Sequence, residues 1–182
     1  MRVSQEEKNK THRRIVEAAA RLIRERGIDA TSVSEVMSAA GLTHGGFYRH
    51  FKDKDALMAA ALDEAFRERT ASLIARFGDQ SPQAAVAEYH GDYLQDGHLS
   101  ALAIGCPVPT MAGDVARSPE QLKAAYGAQI REIVRILEQG IAGSSEERHR
   151  GALREIALLA GAIMIARASD PEMARDMLQS CR

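Results

Sequence analysis

Between His44 and Lys54 lie six polar side chains and two glycines whose types and spacing suit contact with a polyanion: His44, Gly45, Gly46, Tyr48, Arg49, His50, Lys52 and Lys54. None of them makes a nucleophile–base pair or a metal-ligand set. At about 100° per residue, Phe47 and Phe51 point one way and anchor a short helix on a core. Arg49 and Gly45 then point away, with His44 and Tyr48 on one flank and Gly46 and His50 on the other. Each glycine costs a helix about 1 kcal/mol relative to alanine. Two in a row suit a helix whose backbone must come close to a bulky partner, as in a major groove. Lys52 and Lys54 fall at the start of the next helix, where free N–H groups and the helix dipole already favour a phosphate.

The elements that must hold these residues are legible on either side. Ser32 and Glu35 have capping-box spacing, and Val33, Val36, Met37 and Ala40 follow at helical intervals. Gly41 accepts the left-handed conformation that ends a helix. Thr43 is the expected cap of the short helix, and Asp53 of the helix after it. Helix, tight turn, short helix and third helix make a helix-turn-helix arrangement, in which the second helix of the pair faces DNA.

The run GLTHGGFYRHFKDKDAL resembles the recognition-helix signature of the tetracycline-repressor (TetR/AcrR-like) family of transcriptional regulators. The preceding IVEAAARLIRERGIDATSVSEVMSAAG resembles that family's first two helices. The resemblance covers about residues 10–62; the remainder resembles the family in length and helical character. It implies an all-α fold, with an N-terminal three-helix DNA-binding domain over 1–54, a connecting helix over 53–77 and a helical effector-binding and dimerisation domain over 78–182. It implies a homodimer on a palindromic operator in double-stranded DNA, repressing until a small-molecule effector releases it, with no cofactor and no enzymatic activity. Carried over by position, the family's base or phosphate contacts fall on Ser32, Ser34, Thr43, His44, Gly45, Gly46, Tyr48, Arg49, His50 and Lys54. The Gly45-Gly46 pair departs from members that carry side chains there.

Charge distribution agrees with a basic head. The 182 residues carry a net charge of −1, but residues 1–54 hold 11 Lys/Arg against 7 Asp/Glu, whereas 55–182 hold 13 against 18. Ordinary surface charge is the alternative reading. Scarce aromatics and abundant Ala and Leu favour helices over sheet. MRVSQEEKNK lacks the apolar region of a secretory signal, the longest apolar run (156–166) is too short to span a membrane, and two cysteines do not make a disulfide scaffold. A cytoplasmic protein is expected.

The first helix is expected over about Lys10–Arg26, with 1–9 frayed. The helix from Asp53 keeps its apolar period for about 24 residues, roughly 36 Å, long enough to leave the head and report to a second domain. Beyond Ser81-Pro82 the pattern predicts helices at 84–94, 100–104, following a Gly105–Pro109 loop to Ala116, at 119–141 and 146–168, and from Asp170-Pro171 onward. Asp96-Gly97 is read as a breaker and Ser118 as a cap. The last two turns of the 146–168 helix are nearly apolar all round and so are expected to be buried on most sides. Small residues Ala124, Ala125, Ala128, Gly161 and Ala162 allow close packing of the two long helices, within one chain or with a second copy.

Inner-face candidates for an effector pocket are Tyr89, Tyr93, His98, Leu102, Cys106, Met111, Tyr126, Ile130 and Met164; plain core is the competing reading. Cys106 begins a helix, where a thiol gains thiolate character. Some members of the resembling family sense oxidants or electrophiles through a cysteine in this region, so a thiol-based sensor acting through Cys106 is the alternative function; a buried, inert thiol is the plainer reading. His90, Asp92, Asp96 and His98 are poorly spaced for a metal, and none is expected.

Overall fold

The computed structural model describes residues 4–78, 80–100 and 105–182. The described residues build helices joined by short turns and contain no strand. Helix α1 spans Gln5–Arg26 and starts five residues before the expected Lys10. Ser4 accepts the Glu7 N–H at 3.1 Å, and Glu6 and Glu7 complement the dipole in the first turn. A local cap thus makes helix of a polar stretch that composition alone marks as frayed. Gly27 closes α1 with φ 87°.

Helix α2, Val33–Ala39, has the expected capping box between Ser32 and Glu35. Gly41 follows at φ 68°, in the left-handed region that a side chain would strain. The short helix is a 3-10 helix over His44–Arg49, tighter than the two α-turns expected. Helix α3, Lys54–Arg76, is capped by Asp53, whose carboxylate accepts the Ala56 N–H at 2.7 Å.

Helix α4 spans Pro82–Tyr93, beginning two residues early because Ser81 caps it and Pro82 takes the first position. Asp96-Gly97, read as a breaker, instead opens the short α5, Asp96–Ser100; the break falls at Leu94-Gln95. Most of the turn expected at 100–104, including Leu102, lies outside the described residues. Pro107 and Pro109, expected in a loop, are in the first turn of α6, Pro107–Arg117, where their missing N–H groups would lack helical partners anyway. Ser118 is the C-cap of α6 and its hydroxyl donates to the Asp114 carbonyl at 2.9 Å, so it does not cap α7, Glu120–Leu137. A 3-10 turn, Glu138–Gly140, replaces the last part of the expected helix. Helix α8 spans Ser145–Arg167 behind a Ser144–Glu147 capping box, and α9 spans Pro171–Ser180.

Helix α3 packs on α1 and also on α7, so one rod touches both the front helices and the later ones. Its buried stripe is Leu57, Met58, Ala61, Leu62, Ala65, Phe66 and Leu73. Helices α6, α7 and α9 pack on α8. The expectation that the last two turns of α8 are buried on most sides fails for a single chain: Met164 and Ile165 are 43% and 48% exposed, and Leu153 and Leu158, earlier in the helix, are exposed too. No helix of the described residues is long and apolar enough to cross a membrane.

Candidate nucleic-acid interface

Phe47 and Phe51 are buried and seat the 3-10 helix on the core, their rings 5.9 Å apart. Tyr48 is 72% exposed, and His44, Gly45 and Arg49 are exposed beside it. A Cβ on Gly45 would meet nothing within 4 Å, and one on Gly46 would make only an ordinary contact with Met37. Neither glycine is needed to pack this chain. The smallness of Gly45 leaves the outer face of the helix low, which is useful only to something approaching from outside.

The 3-10 geometry corrects the position of His50. His50 is the C-cap of that helix, and its N–H bonds back to the Phe47 carbonyl at 2.9 Å, which turns it toward the core instead of alongside Gly46. It is half-buried, its Nδ1 is sealed from solvent without a partner, and its ring lies 5.9 Å from His12. Burial, with the charges of His12, Lys8 and Arg49, pulls its pKa down.

Thr43 sits at the N-cap position, but its hydroxyl makes no capping bond and is exposed. Ser32 behaves differently: its hydroxyl accepts from Glu35 N–H at 3.3 Å and donates to the Glu35 carboxylate at 2.6 Å. The Ser32 hydroxyl and its backbone N–H, both donating to the Glu35 carboxylate, hold that carboxyl below its usual range. Ser34, Lys52 and Lys54 are exposed, the lysines at the open end of α3. The turn is braced by Arg14, which donates to the Ala40 carbonyl at 2.5 Å.

A second brace joins the front of the chain to α6. Asp114 accepts the backbone N–H groups of Ile28 at 2.7 Å and Asp29 at 3.4 Å. Arg117 reaches Asp29 at 3.4 Å and Asp114 at 2.8 Å. A side chain at Gly27 would collide with the Asp114 carboxylate. Arg24, itself buried, bridges to Glu68 on α3.

Of the residues expected around an effector, Tyr89, Tyr93, Cys106 and Met111 are fully buried, and His98, Tyr126 and Ile130 are half-buried. Met164 does not join them; it is 43% exposed on the outer side of α8. Tyr89 and Tyr93 meet edge to face at 5.5 Å, and His98 stacks on Tyr93 at 4.3 Å. Burial, reinforced by Arg69 and Arg167, pushes His98 down to about 4. The Tyr126 hydroxyl donates to the Val108 carbonyl at 3.2 Å. Cys106 is the N-cap of α6, and its backbone N–H points at His98 Nε2 at 3.4 Å.

Two arginines in this region escaped the sequence reading. Arg69 lies 4.8 Å over the Tyr89 ring and 5.4 Å over that of Tyr93. Arg167 donates to the carbonyls of His98 and Leu99 and to Thr110, each at 3.1 Å. A signal existed. Arg69 is three residues after Phe66 and four before Leu73, so it interrupts the apolar stripe of α3. Among the residues weighed for a metal, His90 is held by Glu155 at 2.6 Å and the Cys181 carbonyl at 2.8 Å. Asp92 pairs with Arg76 at 2.7 Å.

Residues 15–61 match the family model described as "Bacterial regulatory proteins, tetR family". The chain is 40% identical over 58 residues to the HTH-type transcriptional regulator AcrR of Shigella flexneri, covering 32% of this chain and 27% of that one. Like the next curated relatives, AcrR is matched over less than a third of its length. The HTH-type transcriptional repressor NemR of Escherichia coli K12 is 22% identical over 139 residues, 75% of this chain and 69% of that one. The crystal structure of the reduced form of E. coli NemR superposes with a TM-score of 0.79 at 20% identity, covering 95% of both chains. A TetR transcriptional regulator of Chloroflexus aurantiacus gives 0.76 at 27% identity, covering 95% of this chain and 90% of the other.

Proposed function

We propose that this chain, which belongs to the tetR family of bacterial regulatory proteins, is a cytoplasmic homodimeric repressor that binds a palindromic operator and leaves it when a small-molecule effector binds the later helices. The observation that carries this reading is the outer face of the 3-10 helix: open at Gly45, 72% exposed at Tyr48, exposed at Arg49, and fixed from below by Phe47 and Phe51. Residues 1–54 form the DNA-binding head, α3 the connection, and 78–182 the effector-binding and dimerisation part.

On the duplex, Arg49 reads a guanine edge, with His44 and the glycine floor against the groove. Ser34, Thr43, Tyr48 and Lys54 contact the phosphates, which fix register without reading sequence. Ser32, engaged in its cap, and His50, turned inward, contribute at the edge of the interface. A single short helix reads few base pairs, so two copies about 34–36 Å apart are needed for a palindrome.

The dimer is supported by the outer stripe of α8, where Leu153, Leu158, Met164 and Ile165 are exposed and Gly161 has open space above it. A row of large apolar side chains on one face suits a partner surface. Ala124 and Ala128 on α7 are exposed and available to it, whereas Ala162 packs inside the chain.

Selection from random duplexes is the test. Recovery of a palindrome by the wild type supports the reading, and enrichment of no sequence overturns it.

A second reading keeps the DNA head and makes Cys106 the input. It is favoured by the placement of Cys106 at the start of α6, near enough to Arg69 and Arg167 to bear on their charge. Operator release by an oxidant that persists unchanged in Cys106→Ala removes this reading.

A further inference from the structure

We propose that the effector is an organic anion, its carboxylate paired with the Arg69 guanidinium and receiving hydrogen bonds from the Tyr89 and Tyr93 hydroxyls. This rests on the reading that the later helices bind an effector, and it names the chemical class of that ligand.

Arg69 carries its charge into the interior of the fold without a carboxylate. Its guanidinium lies over two tyrosine rings, and its Nε is sealed from solvent with no hydrogen-bond partner. The neighbouring Glu68 is engaged with Arg24. Tyr89 and Tyr93 are 1% and 0% exposed, and neither hydroxyl makes a well-aligned hydrogen bond: that of Tyr89 faces the Arg69 guanidinium and that of Tyr93 the Cys106 thiol, a weak partner. Buried polar groups are nearly always satisfied, so a sealed guanidinium N–H and two poorly engaged hydroxyls on adjacent helices call for a ligand.

These groups also choose its sign. An arginine N–H can only donate, and burial keeps both tyrosine hydroxyls protonated by raising their pKa values. A carboxylate offers only acceptors and carries the charge that Arg69 lacks. A cationic ligand would face Arg69 and Arg167 at once, and a neutral one would leave the buried guanidinium uncompensated. The aromatic and apolar surroundings, Phe66 against Tyr126 at 5.6 Å and the fully buried Met111, suit the body of an organic acid better than a bare inorganic ion.

The position of Arg69 links this site to the head. It lies fifteen residues after Lys54 on the same helix, about 22 Å along a continuous rod. An anion that draws Arg69 off its two rings acts directly on the helix whose first turn carries the phosphate-contacting lysine.

Thermal unfolding of the full chain with benzoate tests the proposal, against benzamide at matched ionic strength. Benzoate is expected to raise the midpoint and benzamide to leave it unchanged, because only the charged form binds the folded state. The benzoate shift should vanish in Arg69→Gln and shrink in Tyr89→Phe/Tyr93→Phe, an isosteric pair that tests the site even if the arginine variant does not fold. No benzoate shift, equal shifts from acid and amide, or a benzoate shift that survives in the variants overturns the proposal. Duplex selection is independent of this readout: a recovered palindrome with no anion response sinks only the anion, and an anion response without a palindrome sinks only the DNA reading.

Discussion

The carboxylate of Asp114 on α6 accepts the backbone N–H of Ile28 at 2.7 Å, across 86 residues of sequence. Ile28 lies in the turn between α1 and α2, just after the Gly27 kink, so α6 grips the head at its hinge. The other end of α6 starts at Cys106, beside Arg69 and the buried tyrosines. One short helix therefore touches both the candidate effector site and the support of the candidate DNA-binding face. Asp114→Ala should destabilise the chain by about 1–3 kcal/mol, since it strands a half-buried N–H. Asp114→Asn should cost less, because its amide oxygen still accepts. Denaturant unfolding of the three proteins would show that order. Equal stabilities would mean that the brace is absent in solution.

Arg49 and Lys54 should fail in different ways. Arg49→Ala is expected to weaken binding to the selected duplex by about 1–3 kcal/mol and to leave random DNA nearly unaffected. Lys54→Ala should weaken both and reduce the salt slope by about one. Titrations over a range of salt separate the two; matching losses from the two variants would remove the division into reader and phosphate contact.

The buried Tyr93 hydroxyl makes no well-aligned hydrogen bond and faces only the Cys106 thiol, a weak partner. Tyr93→Phe should therefore stabilise it, by about 1 kcal/mol, because a desolvated unsatisfied group is removed while the ring packing stays. A lower unfolding midpoint for the phenylalanine variant would show that the hydroxyl is satisfied after all.

His98 makes stability depend on pH. Burial and the charges of Arg69 and Arg167 hold its folded pKa near 4, below the ordinary 6.5. The unfolded chain takes the proton first as pH falls, so the contribution is complete above about 6.5 and is lost progressively toward about 4. His90 works in the opposite sense. Burial lowers its pKa, but Glu155 and the Cys181 carbonyl outweigh it and raise the net value, so its contribution is present below the ordinary pKa and lost at higher pH. His98→Asn should flatten the acid side of the stability profile; an unchanged slope between pH 6.5 and 4 would assign that slope to other groups.

Ile165→Glu should yield a monomer. The substitution places a charge on the outer stripe of α8, where Ile165 is 48% exposed in one chain and would be buried by a second. Sedimentation of both proteins measures this, and an unaltered mass would place any dimer contact elsewhere. Because the position is open to solvent in a single chain, the variant should still fold.

The head was legible because its signals are local. The Ser32–Glu35 box, the left-handed Gly41, the Asp53 cap and the Phe47/Phe51 anchor each depend on residues a few positions apart, and the structure reproduces all of them. The errors arose where two local signals compete. Ser118 could cap the helix after it or close the one before it, and its hydroxyl bonds backward to Asp114. Asp96-Gly97 has the composition of a breaker yet begins a helical turn. The inward turn of His50 followed from a 3-10 bond back to Phe47 that a pattern of 3.6 residues per turn cannot anticipate.

By itself, then, the amino-acid order determined the all-helical class, the caps and turns of the front third, and the cationic, glycine-floored face presented there, because each is set by backbone preference and short-range periodicity. Only the tertiary structure decided that Arg69 would lie over Tyr89 and Tyr93 without a counter-ion, that Asp114 would hold the turn at Ile28, and that Met164 would point outward. Those relationships join residues twenty to nearly ninety positions apart. No local preference encodes them; they follow from which helix faces the whole chain can bury at once.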